Sequence, residues 1–163
     1  MSPGKSAKKN SLRLMRTAWV CLTLLAACVR SVAHDESLAG KRALEFAQLA
    51  LVRQDFDKAY ALLSASAKRY VPLEKLRESV AKLYPGNTPT AVVATAYEPM
   101  PGENAIYIYL VGQNAGVRLD YTVTMDGTAT TDYKVAKIIR GHNTYLPATS
   151  GKKSFGQPIT SPP

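Results

Sequence analysis

The sequence predicts an α+β domain in which three N-terminal helices pack on a four-stranded antiparallel sheet. Apolar residues recur at helical spacing from residue 36 to about residue 83. After Pro89 the period changes to alternation, and β-branched and aromatic residues become frequent. Helices followed by a run of strands are typical of a sheet that carries its helices on one face.

The N-terminal segment predicts export. Five basic residues and no acidic residue precede an apolar run over residues 17–27. A charged start followed by about 7–15 apolar residues is the pattern of a signal peptide, whereas a membrane-spanning helix needs about 20. Arg30 soon follows the run, which further disfavours a permanent transmembrane helix.

A lipid-attachment motif lies at the end of this segment. Leu25-Ala26-Ala27-Cys28 resembles a bacterial lipobox. The resemblance implies removal of residues 1–27, acylation of Cys28, and a lipoprotein held at the membrane on the periplasmic or outer side. Residues 28–35 then form a short tether.

A second cleavage site overlaps the first. Ser31-Val32-Ala33 has small residues at the positions that ordinary signal peptidase requires. Cleavage there removes residues 1–33 and releases a soluble periplasmic or secreted protein beginning at His34. Both cleavages remove Cys21 and leave at most one cysteine, so the sequence predicts no intramolecular disulfide.

The charge of the chain disfavours nucleic acid as a partner. The sequence contains 21 Lys and Arg against 12 Asp and Glu, a net charge of +9. Without the five cations of the leader, sixteen basic residues face twelve acidic ones, which leaves +4. A nucleic-acid-binding protein needs a clustered basic face, and this mixed remainder indicates none.

Three helices are predicted before the sheet. The first runs from about residue 36 to 53 on an amphipathic stripe. Asp55 is placed to cap the second helix. Pro72 suits the first turn of the third helix, because its missing N–H is unpaired there anyway. The Pro-Gly pair at 85–86 ends that helix.

Four strands follow, over residues 90–97, 104–111, 117–125 and about 130–140. Asp126-Gly127 predicts a two-residue hairpin turn between the last two strands. The predicted domain covers residues 36–146. The segment 147–163 is rich in Pro, Ser, Thr and Gly without a period, and we expect it to be disordered.

Three sequence stretches resemble the small secreted members of the nuclear transport factor two-like superfamily. They are residues 55–64 (DFDKAYALLS), residues 71–76 (VPLEKL) and residues 133–139 (YKVAKII). The resemblance spans about residues 36–141 and implies a curved sheet that wraps the helices into a cone. It also implies a pocket inside the cone, which some members use for isomerase, dehydratase or cyclase chemistry, and dimers through the open sheet face. Val71 and Tyr133 depart from the residues usual in the superfamily at those positions.

The candidate pocket residues are aromatic and aliphatic side chains of the predicted core face: Phe46, Tyr60, Leu63, Leu76, Tyr97, Leu119 and Tyr121. Tyr107 and Tyr109 alternate with the core positions of their strand. They therefore predict an aromatic outer sheet face that binds a second copy or an envelope protein.

Candidates for catalysis are few. His34 and His142 lie at the two ends of the predicted domain, so neither is expected to meet an acidic residue within the cone. The sequence therefore predicts no catalytic residue, metal site or cofactor. We expect a non-catalytic bacterial envelope module that binds a protein or a small apolar ligand, and the alternative is a small pocket enzyme of isomerase or dehydratase type.

Overall fold

The computed structural model describes residues 32–141 and 151–160, which form an α+β domain. The described residues contain four α-helices: α1 Glu36–Ala47, α2 Phe56–Ala61, α3 Ala65–Tyr70 and α4 Leu73–Leu83. A π-helical segment, Gln48–Val52, continues α1. The class is as predicted, but the expected count of three helices is wrong.

The extra helix arises at Ser64. Its hydroxyl accepts a hydrogen bond from the amide of Ala67 at 3.2 Å and so starts α3 as a separate helix. Asp55 caps α2 as predicted, with its carboxylate accepting from the amide of Lys58 at 3.3 Å. Pro72 precedes α4 as its N-cap residue rather than lying in the first turn.

The sheet has five antiparallel strands in the described residues, not the four predicted. They are β1 Ala91–Pro99, β2 Ala105–Asn114, β3 Val117–Asp126, β4 Lys134–Arg140 and β5 Lys153–Thr160. Their order is β4-β3-β2-β1-β5, so the last strand in the chain pairs with the first. The helices cover one face, where Phe46 packs with Ile106, Ile108 and Val123 in the core.

Strand β5 overturns the expectation of disorder for residues 153–160 of the tail. Phe155 and Ile159 pack partly buried against the core. Gly40 of α1 makes this possible, because a Cβ atom there would lie 2.6 Å from Cδ1 of Ile159 and 2.9 Å from Cζ of Phe155. The pairing with β1 is irregular, with Ser154 opposite Ala96, so the tail carries no clear period.

The primed hairpin turn lies between β2 and β3 instead of at Asp126-Gly127. Ala115 and Gly116 connect these strands with φ values of 47° and 82°. Residues 127–133 separate β3 from β4, so the predicted two-residue turn is wrong. The longer connection lets Tyr133, which is 1% exposed, enter the core before β4 begins.

None of the helices in the described ranges combines the length and the apolar character needed to cross a membrane.

Candidate functional site

The two ends of the sheet differ in what they carry. At one end, the Glu103 end, lie the β1–β2 turn and the β3–β4 connection. The segment that precedes α1 is fixed here, because the amide of Ala129 donates to the carbonyl of Ala33 at 2.9 Å. The amide of Asp35 donates to the hydroxyl of Tyr133 at 2.9 Å.

The opposite end, the Ala115 end, carries the β2–β3 turn and the residues that follow α4. A pocket of about 280 Å³ lies here between the π-helical segment, α4 and β3. Its lining combines apolar and aromatic side chains with a few polar ones: Leu51, Phe56, Val80, Leu83, Tyr84, Tyr121, Gln54, Arg77, Asn87 and Thr88. This mixture is typical of small-molecule sites.

The π-helical segment shapes one wall of the pocket. The amide of Arg53 donates to the carbonyl of Gln48 at 2.9 Å, five residues back, which widens the last turn. Gln54 then takes a positive φ of 54° and turns the chain toward Asp55. Leu51 and Gln54 both line the pocket as a result of this local geometry. Helical periodicity alone predicts a regular helix here and gives no indication of the irregular turn.

The aromatic wall is held by backbone hydrogen bonds. The hydroxyl of Tyr84 accepts from the amide of Asp120 and donates to the carbonyl of the same residue, both at 3.0 Å. The rings of Tyr84 and Tyr121 meet edge to face with centroids 5.2 Å apart. Gly112 gives the Tyr121 ring room, because a Cβ atom there would lie 3.2 Å from Cε2 of that ring.

Tyr121 is a buried residue that lines the pocket. The residue is 2% exposed, and its hydroxyl makes no hydrogen bond with any residue of the described ranges. Since no side-chain oxygen or nitrogen in those ranges is both closed off and unpaired, this hydroxyl keeps some exposed surface, and its residue lines the pocket. Burial, followed by the proximity of Tyr84, raises the pKa of Tyr121 to about 12. The hydroxyl is therefore protonated at neutral pH and available as a donor.

Arg77 supplies positive charge at the rim. Its guanidinium carbon lies 5.7 Å from the centroid of the Phe56 ring. The nearest acidic partner is Asp57, with 3.9 Å between Nη2 and Oδ2, and both side chains are largely exposed. Among the residues that the structure describes, none that lines the pocket is Asp, Glu or His.

Of the seven pocket residues predicted from sequence, Tyr121 alone lines this pocket. Four belong to the buried core: Phe46, Leu63, Leu76 and Leu119. Tyr60 is partly buried beneath the ammonium of Lys68, and Tyr97 packs against Phe155 with ring centroids 5.0 Å apart. The space that the sequence assigns to a pocket beneath the sheet is thus occupied by these side chains.

The predicted partner face is more closed than expected. Tyr109 is 6% exposed, and its hydroxyl donates to the carboxylate of Glu98 at 2.6 Å. The ammonium of Lys152 lies 4.1 Å from the centroid of the Tyr109 ring. Burial, with the nearby carboxylate, raises the pKa of Tyr109 well above its usual range. Tyr107 is partly buried. The pairing of Glu98 with Tyr109 is not expected from the sequence, because Glu98 lies in the turn between the first two predicted strands.

The histidines and cysteines form no metal-binding group within the described ranges. The ring of His34 lies at the Glu103 end, with Nδ1 3.3 Å from the hydroxyl of Tyr133. His142 and Cys28 lie outside the described residues. Across residues 32–141 and 151–160, no group of three or more His, Cys, Asp or Glu side chains is placed to hold a metal ion.

The chain matches no protein-family model, no curated protein and no solved structure. The pocket at the Ala115 end is the candidate site on its geometry.

Proposed function

We propose that this protein is a non-catalytic module of the bacterial envelope, anchored through acylated Cys28, that binds a small molecule in the pocket at the Ala115 end. The observation that carries the proposal is the attachment of Ala33 to Ala129 at the Glu103 end, opposite the pocket. An anchor at that end would attach the protein at the end of the sheet opposite the binding site.

The distances are compatible with this arrangement. Five residues lead from Cys28 to Ala33, and an extended chain of that length covers at most about 18 Å. Strands of ten residues such as β2 and β3 span roughly 33 Å from one end of the sheet to the other. The tether therefore keeps the Glu103 end within about 18 Å of the membrane while Ala33 keeps its hydrogen bond.

The same hydrogen bond favours cleavage before Cys28. Cleavage after Ala33 would remove the carbonyl that accepts from Ala129 and leave a charged amino group at His34. Cleavage before Cys28 retains the whole segment that contacts the domain. A soluble protein beginning at His34 is the alternative.

Binding is favoured over isomerase or dehydratase chemistry by the composition of the pocket. Those reactions need a carboxylate or imidazole to carry a proton, together with a donor to a developing oxyanion. The described part of the lining supplies the donor, Tyr121, and no acidic or histidine side chain.

Intact-mass measurement of the protein from a bacterial host tests the anchor. We expect a species that begins at Cys28 and carries fatty acyl chains, found in the membrane fraction. Cys28→Ser should abolish acylation and membrane association, whereas the control Cys21→Ser should leave both unchanged. A native species that begins at His34 would refute the anchor and leave the pocket untouched.

The fold family and the partner face are further parts of the proposal. The four helices on one face of an antiparallel sheet are compatible with a nuclear transport factor two-like domain. The outer sheet face, with Tyr107 beside Thr124, is the candidate contact for a second copy or an envelope protein. Analytical ultracentrifugation tests the first partner, because Tyr107→Lys should dissociate a dimer formed through this face.

A further inference from the structure

We propose that the pocket at the Ala115 end selects a small organic anion, with its negative group at Arg77 and an oxygen acceptor at the Tyr121 hydroxyl, joined by an apolar body of about one ring. This inference deepens the proposed function and rests on the pocket being a binding site. It adds the chemical class of the ligand.

The charge preference follows from the lining. Within residues 32–141 and 151–160, the lining holds no Asp, Glu, His or Lys, so Arg77 is the one charged side chain that those residues contribute. The guanidinium also forms only a weak ion pair, because its contact with Asp57 is 3.9 Å long and exposed. An incoming carboxylate can therefore take the short, bidentate geometry that Asp57 does not use. An ammonium ligand would meet a like charge.

The second polar contact is the hydroxyl of Tyr121, a buried residue of the lining. The Tyr121 hydroxyl makes no hydrogen bond with any residue of the described ranges, whereas the Tyr84 hydroxyl is already bonded to Asp120 on both sides. A ligand oxygen that accepts from Tyr121 would satisfy a group that otherwise depends on water. A ligand that ends in a methyl group would leave it unpaired, at a cost in affinity.

The size of the pocket limits the body between these two polar groups. A volume of about 280 Å³ lies at the lower limit of small-molecule pockets, which range from roughly 300 to 1,000 Å³. Leu51, Val80 and the Phe56 ring offer apolar and aromatic surfaces for one ring. A steroid or a long acyl chain exceeds this space.

Three probes of similar size separate the contributions: 4-hydroxyphenylacetate, phenylacetate and tyramine. Binding to the processed full chain is measured by chemical-shift titration, with the amides of residues 77–84, 86–88 and 121 as reporters. We expect 4-hydroxyphenylacetate to bind tightest. Phenylacetate, which lacks the acceptor oxygen, should bind about three- to tenfold more weakly. Tyramine, which exchanges the carboxylate for an ammonium, should bind at least about threefold more weakly.

Two substitutions assign each preference to its residue. Arg77→Gln should remove the preference for the carboxylate over the ammonium, while the matched control Lys75→Gln on the same helix should preserve it. Tyr121→Phe should remove the preference for 4-hydroxyphenylacetate over phenylacetate. Unchanged amide spectra of the unbound variants apart from local shifts show that each is folded.

The inference is overturned if tyramine binds as tightly as 4-hydroxyphenylacetate, or if Arg77→Gln leaves the charge preference intact. Binding of the neutral probe 4-methylphenol at the same amides, without any charge preference, would retain the pocket as a binding site and reject the anion. Absence of shifts at these amides with every probe would reject both proposals.

Discussion

The hydroxyl of Tyr84 forms two hydrogen bonds with the backbone of Asp120, at 3.0 Å each. Strand β4 ends opposite Tyr121, so β3 extends beyond it at Asp120. The amide of Gly141 also donates to the carbonyl of Asp120. Tyr84 thus completes the hydrogen bonding of a strand where its neighbour ends, and it joins the C-terminus of α4 to the sheet.

Replacing Tyr84 tests this link. Tyr84→Phe keeps the ring and leaves the amide and carbonyl of Asp120 without the hydroxyl, so we expect a loss of about 1–2 kcal/mol in the free energy of unfolding. Urea denaturation followed by circular dichroism measures the loss. The control is Tyr70→Phe, because Tyr70 is 73% exposed and should be neutral. Equal stabilities of the two variants would contradict the assignment.

Gly40 is expected to decide whether β5 stays attached. Gly40→Val places side-chain atoms where Ile159 and Phe155 now pack, so the amides of residues 153–160 should lose protection from hydrogen exchange. The control Ser37→Val introduces the same residue at an exposed position of α1 and should leave these amides protected. Retained protection in Gly40→Val would show that β5 adjusts without detaching.

Ala115 offers a stabilising substitution. Its φ of 47° lies in the left-handed region that alanine adopts at a cost and asparagine tolerates well. We expect Ala115→Asn to raise the free energy of unfolding by about 0.5–1 kcal/mol, measured by thermal denaturation. Ala129→Asn is the control, because Ala129 is exposed and outside the left-handed region. A destabilised Ala115→Asn would contradict the turn geometry.

The stability of the protein should fall at alkaline pH, partly through Tyr121. The pKa of this residue rises from 10.0 to about 12 on folding, so the folded state retains its proton more firmly than the unfolded state. The corresponding stability is present below pH 10 and is lost as pH rises from 10 to 12. Tyr121→Phe should flatten this decline relative to the unmodified protein.

Urea denaturation at several values between pH 8 and pH 11.5 measures the effect. Part of the decline should persist in the variant, because burial raises the pKa of Tyr109 and Tyr133 as well. Parallel pH profiles for the variant and the unmodified protein would contradict the prediction for Tyr121.

The sequence predicts the elements that depend on local chemistry. Alternation along residues 117–125 identifies β3, and Asp55 caps α2, because each feature is decided by neighbours in the chain. The candidate site depends on contacts between distant residues. Tyr84 meets Asp120 across 36 positions, and no period in the sequence indicates such a contact.

The two wrong predictions in the sheet have the same cause. Composition favours disorder in the tail, but β5 is attached by pairing with β1 and by two apolar side chains that pack against a glycine in α1. Asp126-Gly127 is a strong local turn motif, yet the entry of Tyr133 into the core requires a longer connection. Tertiary packing outweighs the local preference at both positions.

The strand order β4-β3-β2-β1-β5 also bears on how the chain assembles. The first four strands join neighbours that are adjacent in the chain, whereas β5 brings Thr160 beside Val93. Closing the long loop between β1 and β5 costs more entropy than closing the shorter loops between the other paired strands. We therefore expect β5 to join the sheet late in folding. Until then the bare edge of β1 is a template for other copies, and chains truncated before Lys153 should aggregate, which light scattering would detect.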